Sequence, residues 1–175
     1  MSLHKGYSFD AAAALGIGKP STEPLPTAAP GEVILRIPDG LTLHVLRKSP
    51  VGKILMWQMD WYDKYQWSNE TLPAGIYLLR VPVPNSNRKT VGEQEAILPV
   101  GETLAPAVMV AAALICIRLQ GGSDPLNDGW TRCREQTTVG SRVELTWYDG
   151  RLDVYGRWGD GRVSGLWASS VRTSY

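Results

Sequence analysis

An apolar run at residues 104–119 limits what this chain can fold into more than any other feature. Its apolar side chains lie on every face of a helix rather than along one stripe. A helix of this kind must be buried on all sides, because no face of it suits water. Thr103 and Pro106 fit a helix start, and Arg118 followed by Gly121 fits a helix end. The run therefore predicts a helix buried at the centre of the fold.

The length of this run also bears on domain organisation. It is shorter than the roughly 20 apolar residues that cross a bilayer, and Pro99 and Glu102 prevent its extension upstream. We therefore expect no membrane partner. The chain has 175 residues, enough for one domain with a sizeable core. Because residues 1–30 become rich in proline, we expect an N-terminal arm or linker there and a single domain over residues 31–175.

Patterns of period two before the run predict β-strands. Residues 33–37 and 41–45 flank a Pro-Asp-Gly turn, which is typical of a β-hairpin. Residues 54–61 alternate apolar and polar side chains and predict a third strand. Residues 76–83 predict a further strand, whose prolines confine its far end to an edge.

The C-terminal third carries the clearer strand pattern. Residues 130–135 predict one strand, and residues 142–148, 151–158 and 163–171 predict three more, joined by two Asp-Gly turns. Strands joined by such short turns pair antiparallel with their sequence neighbours. The chain is therefore expected to be an α+β domain with two antiparallel β-meanders packed around one buried central helix.

An aromatic stretch at residues 57–67 is the most unusual feature of the composition. Five aromatic side chains crowd into it among polar residues: Trp57, Trp61, Tyr62, Tyr65 and Trp67. They suit either a cover for one edge of the core or an exposed face for a protein or sugar partner. Their spacing also leaves a helix over residues 56–65 open as an alternative to the strand.

The loop of residues 85–90 suggests a second kind of site. Thr90 and Glu93 form a capping box that opens a short helix ending near residue 98. Arg88 and Lys89 directly precede its free N–H groups, and cations beside a helix start favour an anion. We expect Arg88, Lys89 and Thr90 to bind a small anionic ligand such as a phosphate, the alternative being an ordinary solvated loop.

Charge and cysteine content narrow the remaining classes of function. Lys plus Arg number 18 against 17 acidic residues, so no basic surface for nucleic acid is expected. The two cysteines, Cys116 in the apolar run and Cys133, do not resemble the dense framework of a small secreted domain. Without a signal-peptide pattern, we expect a cytoplasmic protein whose Cys116 is buried and unreactive.

Signatures of catalysis are weak in this sequence. An enzyme would have to use His44 or carboxylates of the C-terminal meander, namely Asp149, Asp153 and Asp160. Such turn and strand carboxylates more often make solvated cross-strand pairs. No cluster has metal-ligand spacing, so we expect neither a metal nor a cofactor.

The leading hypothesis is a binding or assembly module that meets a protein partner, or forms a homo-oligomer, through the aromatic stretch. A phosphate-ligand binding protein or a hydrolase-type enzyme is the alternative.

Overall fold

The computed structural model describes residues 4–137, 141–158 and 160–173, and it shows a mixed α+β domain with two sheets. The strands within these residues are β1 Tyr7–Asp10, β2 Glu32–Ile37, β3 Gly75–Arg80, β4 Thr103–Leu104, β5 Trp130–Gln136, β6 Ser141–Tyr148, β7 Arg151–Trp158, β8 Leu166–Ala168 and β9 Ser170–Thr173. The helices are α1 Ala11–Leu15, α2 Leu43–Lys48, α3 Pro50–Leu55, α4 Gln66–Asn69, α5 Val91–Glu95 and α6 Ala107–Leu119. The predicted α+β class is confirmed.

Helix α6 is the buried centre of this fold, as predicted. All of its residues from Ala107 to Ile117 are buried, and it contacts α1, α2, β5 and β6. Burying each large side chain, such as Leu114, contributes about 1.5–3 kcal/mol relative to leaving it in water. None of the helices in the described ranges is long and apolar enough to cross a membrane.

The helix begins three residues later than the apolar run. Leu104 pairs with Ser170 of β9, and the Ala105 N–H donates to the Ser169 carbonyl, so the first residues of the run extend the sheet. The Ala107 N–H donates to the buried Glu135 carboxylate at 2.9 Å, which satisfies the first free donor of the helix. Burial raises the pKa of Glu135.

The five-stranded sheet has the order β1-β2-β3-β9-β4. Its β1–β2 pair is parallel and its other pairs are antiparallel. Within the segment 1–30, for which we predicted an arm or linker, β1 joins the sheet and α1 contacts α6. Phe9 and Leu15 are buried in the core. Residues 7–15 are therefore part of the packed structure.

The predicted hairpin at residues 41–45 and the predicted strand at residues 54–61 are wrong. Residues 43–55 form α2 and α3, because Thr42 and Ser49 each accept a hydrogen bond at a helix start, from Val45 N and Gly52 N. Residues 57–65 form neither the strand nor the alternative helix: residues 57–60 are irregular, and turns follow at residues 61–64. The first sheet is therefore not a meander.

The four-stranded sheet has the order β7-β6-β5-β8. The predicted hairpin of β6 and β7 is confirmed, with Asp149 at φ 49° and Gly150 at φ 73° in its turn. The predicted third strand at residues 163–171 is wrong, because the chain leaves this sheet midway. Its first part is β8, parallel to β5, and its second part is β9 in the other sheet.

Candidate functional site

Four of the five predicted aromatic residues form one cluster. The ring centroids of Trp61, Tyr62, Tyr65 and Trp67 lie 5.4 to 6.3 Å from their neighbours. Tyr62 is fully buried, and the other three are partly exposed. All four therefore cover the core, and Trp61, Tyr65 and Trp67 also leave part of their aromatic surface open.

Trp57 lies apart from this cluster, at the other end of the stretch. Its ring centroid is 6.5 Å from that of Tyr148, and the Arg151 guanidinium lies 5.0 Å from the ring. Its Nε1 donates to the Tyr148 carbonyl at 3.1 Å. These contacts fix Trp57 at the turn between β6 and β7.

The stretch covers part of the outer edge of β7 through two hydrogen bonds. The Trp57 backbone N–H donates to the Leu152 carbonyl, and Trp61 Nε1 donates to the Val154 carbonyl, each at 3.0 Å. An uncovered edge strand would offer these carbonyls to other chains. The aromatic stretch thus protects the first half of β7.

Beside the cluster lies an ion pair that is buried on its Arg47 side and partly exposed on its Asp63 side. The Arg47 side chain is 2% exposed, and its Nη2 donates to Asp63 Oδ2 at 2.6 Å. The same guanidinium lies 5.0 Å from the Tyr62 ring centroid, and His44 Nδ1 is 3.5 Å from Asp63 Oδ1. The hydrogen bond from Arg47 lowers the pKa of Asp63, and burial raises the pKa of Tyr62 to about 12. This charge cluster anchors the aromatic stretch to α2.

A groove of about 240 Å³ opens between the cluster and the end of the β6–β7 hairpin; we call it the aromatic groove. Its walls and floor are Met59, Trp61, Tyr65, Thr137, Ser141, Tyr155 and Gly156. Met59 and Tyr155 are 46% and 48% exposed, large values for apolar side chains of this size. The sequence indicated the aromatic wall but not Met59, Tyr155 or Gly156, since only the fold brings β7 to this position.

Gly156 gives the aromatic groove a backbone floor. The carbonyls of Leu152 and Val154 point away from β6, toward the free edge of β7. Along an antiparallel strand, every second residue directs its N–H and C=O to the same side, so those of Gly156 also point to the free edge. No described residue bonds to these groups. A Cβ added here would lie 3.0 Å from Thr137 Cγ2 and 3.3 Å from the Trp61 ring, so glycine lets both side chains close around the floor.

The predicted anion site at Arg88, Lys89 and Thr90 has partners within the chain. Thr90 N donates to Glu93 Oε2 at 2.9 Å, which confirms the capping box, and Val91 N donates to the Asp160 carboxylate. The carboxylates of Glu93 and Asp160 thus accept from the N–H groups that were expected to bind an anion. Asp160 is distant in sequence from this loop. Lys89 is half-buried, and exposed Arg88 donates to Ser164 Oγ at 3.4 Å. Anion binding here stays a prediction, with low affinity expected.

The residues of the enzyme alternative are held in different places. His44 contacts Asp63, and Asp160 caps α5, while Asp149 lies in the β6–β7 turn. Burial raises the pKa of Asp153, but Asp153 pairs with Thr146 across the sheet and no other carboxylate contacts it among the described residues. The described residues also contain no group of three His, Cys, Asp or Glu side chains that could hold a metal.

Both cysteines are free and buried. Burial raises the pKa of Cys116 to about 12 and that of Cys133 well above its ordinary value. A neutral buried thiol is a poor nucleophile. The predicted burial of Cys116 in α6 is confirmed.

Comparison with known proteins gives no relative from which a function could be inferred. No family model matches the chain, and no curated protein or solved structure matches it significantly. The site must therefore be interpreted from its own geometry.

Proposed function

We propose that this protein is a non-catalytic binding module that takes an extended segment of a partner protein into the aromatic groove. One observation carries the proposal: exposed aromatic and methionine side chains lie directly beside an outward-facing backbone at Gly156. A partner strand can add to such an edge through main-chain hydrogen bonds while a side chain fills the neighbouring groove.

The side chains around the groove suit this role. Tryptophan and tyrosine contribute large contact areas and dominate the binding energy of many protein interfaces. Methionine adapts to partners of different shape because its side chain is unbranched and flexible. Met59, Trp61, Tyr65 and Tyr155 therefore favour an apolar or aromatic side chain of the partner. A net charge of +1 gives no reason to expect strong electrostatic steering.

The partner could be another protein or a second copy of this chain, and both would use the same strand addition. A homo-oligomer would form only as the concentration of the protein itself is raised. A cytoplasmic location, expected from the sequence, remains part of this proposal.

A peptide-display selection tests the proposal. We expect the wild type to enrich strand-forming peptides with one aromatic or aliphatic anchor, since the groove takes one side chain beside an edge strand. Binding by isothermal titration should weaken at least about tenfold, or 1.4 kcal/mol, in Tyr155→Ser. Tyr148→Ser is the matched control, because Tyr148 is a 65% exposed tyrosine on the same hairpin outside the groove.

Two further measurements complete the test. N-methylation of the peptide backbone at alternate residues should abolish binding in one register only, because strand addition uses every second amide. Light scattering of wild type and Tyr155→Ser shows whether a second copy takes the groove. Selected peptides that bind both tyrosine variants equally, together with a strict monomer, would refute the proposed function.

A further inference from the structure

A second cavity lies at the other end of the four-stranded sheet, where three loops meet; we call it the polar cleft. Its volume is about 660 Å³, compared with about 240 Å³ for the aromatic groove. Asn87 lines it from the loop after β3 and residues 123–127 from the loop after α6. Ser164, Gly165 and Trp167 line it at the start of β8, and His4 lines it from the segment before β1. The aromatic groove shares no lining residue with this cleft.

Hydrogen bonds within and between the loops give the cleft a defined shape. Asp124 Oδ1 accepts from Leu126 N at 2.9 Å, and its Oδ2 accepts from Asp128 N at 3.0 Å. Asn87 Oδ1 accepts from Gly165 N at 2.8 Å and so joins two of the loops. Because these bonds are made within the chain itself, little ordering cost remains for binding.

Close packing also positions the aromatic wall of the cleft. A Cβ added at Gly129 would lie 2.6 Å from the Gly165 carbonyl oxygen and 3.1 Å from Trp167 Nε1. Glycine is therefore needed for the loop to approach Trp167. The Trp167 side chain is half-buried and lines the cleft together with Leu126, which is buried.

The polar groups of the cleft that remain without a bond are neutral amides and hydroxyls. The Asn127 amide and the Ser123 hydroxyl are exposed, and no described residue bonds to either of them. Asn87 keeps its amide N–H₂ free of the described residues, and Ser164 keeps its hydroxyl proton because it accepts from Arg88. The Asn127 amide and the two hydroxyls can bond to a ligand hydroxyl in either direction, and the Asn87 N–H₂ can donate to one.

Charge disfavours an anionic ligand. None of the residues that line the cleft is a lysine or an arginine. Both ring nitrogens of His4, the one lining side chain that can become a cation, already face backbone carbonyls, of Lys5 and Val81, so an anion would find little free countercharge. The carboxylate that lines it, Asp124, already accepts two backbone N–H groups. A purely apolar ligand would leave the amides and hydroxyls without partners, at a cost of about 1–3 kcal/mol for each buried group.

We propose that the polar cleft binds a neutral, hydroxyl-rich small molecule, of which a mono- or disaccharide is the representative class. Its hydroxyls match the amides and serines, and its C–H faces can pack against the indole of Trp167. Pockets of roughly 300–1,000 Å³ hold ligands of this size. The proposal does not depend on the aromatic groove.

Titration with saccharides, followed by ¹⁵N-¹H NMR, tests this proposal. Glucose, galactose, mannose, N-acetylglucosamine, maltose and cellobiose are added separately, with inorganic phosphate as an anionic probe. We expect at least one saccharide to shift the Trp167 indole N–H resonance saturably, with a dissociation constant of about 1 mM, and phosphate to cause no shift there.

Three variants locate the binding. Asn127→Gly removes the amide and suits the φ of 50° at this position, so the fold should be retained. We expect Asn127→Gly and Trp167→Phe each to weaken binding at least about fivefold, whereas Tyr155→Ser in the aromatic groove leaves it unchanged. Failure of every saccharide to give a saturable shift at about 50 mM would overturn the proposal. Equal affinity in Asn127→Gly, or a stronger response to phosphate, would overturn it as well.

Discussion

Asp63→Asn should destabilise the protein far more than a typical surface substitution. Asp63 is the charge partner of Arg47, whose side chain is 2% exposed. Arg47 Nε and Nη1 already have no hydrogen-bond partner among the described residues. Asparagine would keep the shape of the aspartate but remove its charge, so a buried guanidinium would lose its only described ion pair.

The structure allows the cost to be estimated. Removing one partner of a buried ion pair costs about 3–5 kcal/mol. The Asp63 side chain is 33% exposed, so water screens part of the interaction and lowers this value. We expect about 2–3 kcal/mol, which is a large part of a total stability of roughly 5–15 kcal/mol. The melting temperature should fall by about 4–12 °C for a chain of this length.

Arg47→Met gives a contrasting prediction. It removes the buried charge together with the ion pair and leaves Asp63 with access to water. Its cost should therefore be about 1 kcal/mol, arising mainly from the lost cation–π contact with Tyr62. In the double variant, Asp63→Asn should add almost nothing, because no buried charge remains to be paired. The coupling between the two sites should then be about 2 kcal/mol.

Urea unfolding followed by circular dichroism measures all four proteins. The slope of the free energy against urea concentration should stay constant, so that midpoint shifts report stability. Additive effects of the two single variants would refute this reasoning. A cost below about 1 kcal/mol for Asp63→Asn would do so too, since the Arg47 charge would then be stabilised without Asp63.

Three further predictions concern pH, the core and the loop before α5. Because Arg47 lowers the pKa of Asp63, this carboxylate stabilises the fold above its unfolded pKa of about 4 and ceases to do so as pH falls. The melting temperature of the wild type should therefore drop more between pH 6 and pH 2 than that of Asp63→Asn, and equal drops would contradict this. Leu114→Ala should lower the free energy of unfolding, measured in urea, by about 3–5 kcal/mol, because Leu114 is fully buried and the shorter side chain leaves a cavity beside α6. Millimolar phosphate should raise the melting temperature only slightly, and the rise should vanish in the Arg88→Ala, Lys89→Ala double variant; an equal rise in both proteins would eliminate that site.

Local signals in the sequence were sufficient for part of this fold. The apolar run predicted a buried α6, because a helix without a polar face can only be interior. Asp149 and Gly150 predicted the β6–β7 hairpin, because both adopt the positive φ that its turn needs. Thr90 and Glu93 predicted the start of α5, since the capping box closes within four residues. In each case the deciding contacts are made between residues close in sequence.

Tertiary structure decided the remainder. The alternation at residues 41–45 predicted a strand, but the chain forms α2 there, which packs against α6 with Leu43 and Leu46 buried and Val45 40% exposed. Strand partners distant in sequence drew β9 away from β8 and into the other sheet. Asp160 reaches the α5 start across 69 residues of chain. The aromatic groove and the polar cleft likewise combine segments far apart in sequence, and periodicity contains no information about which distant segments will meet.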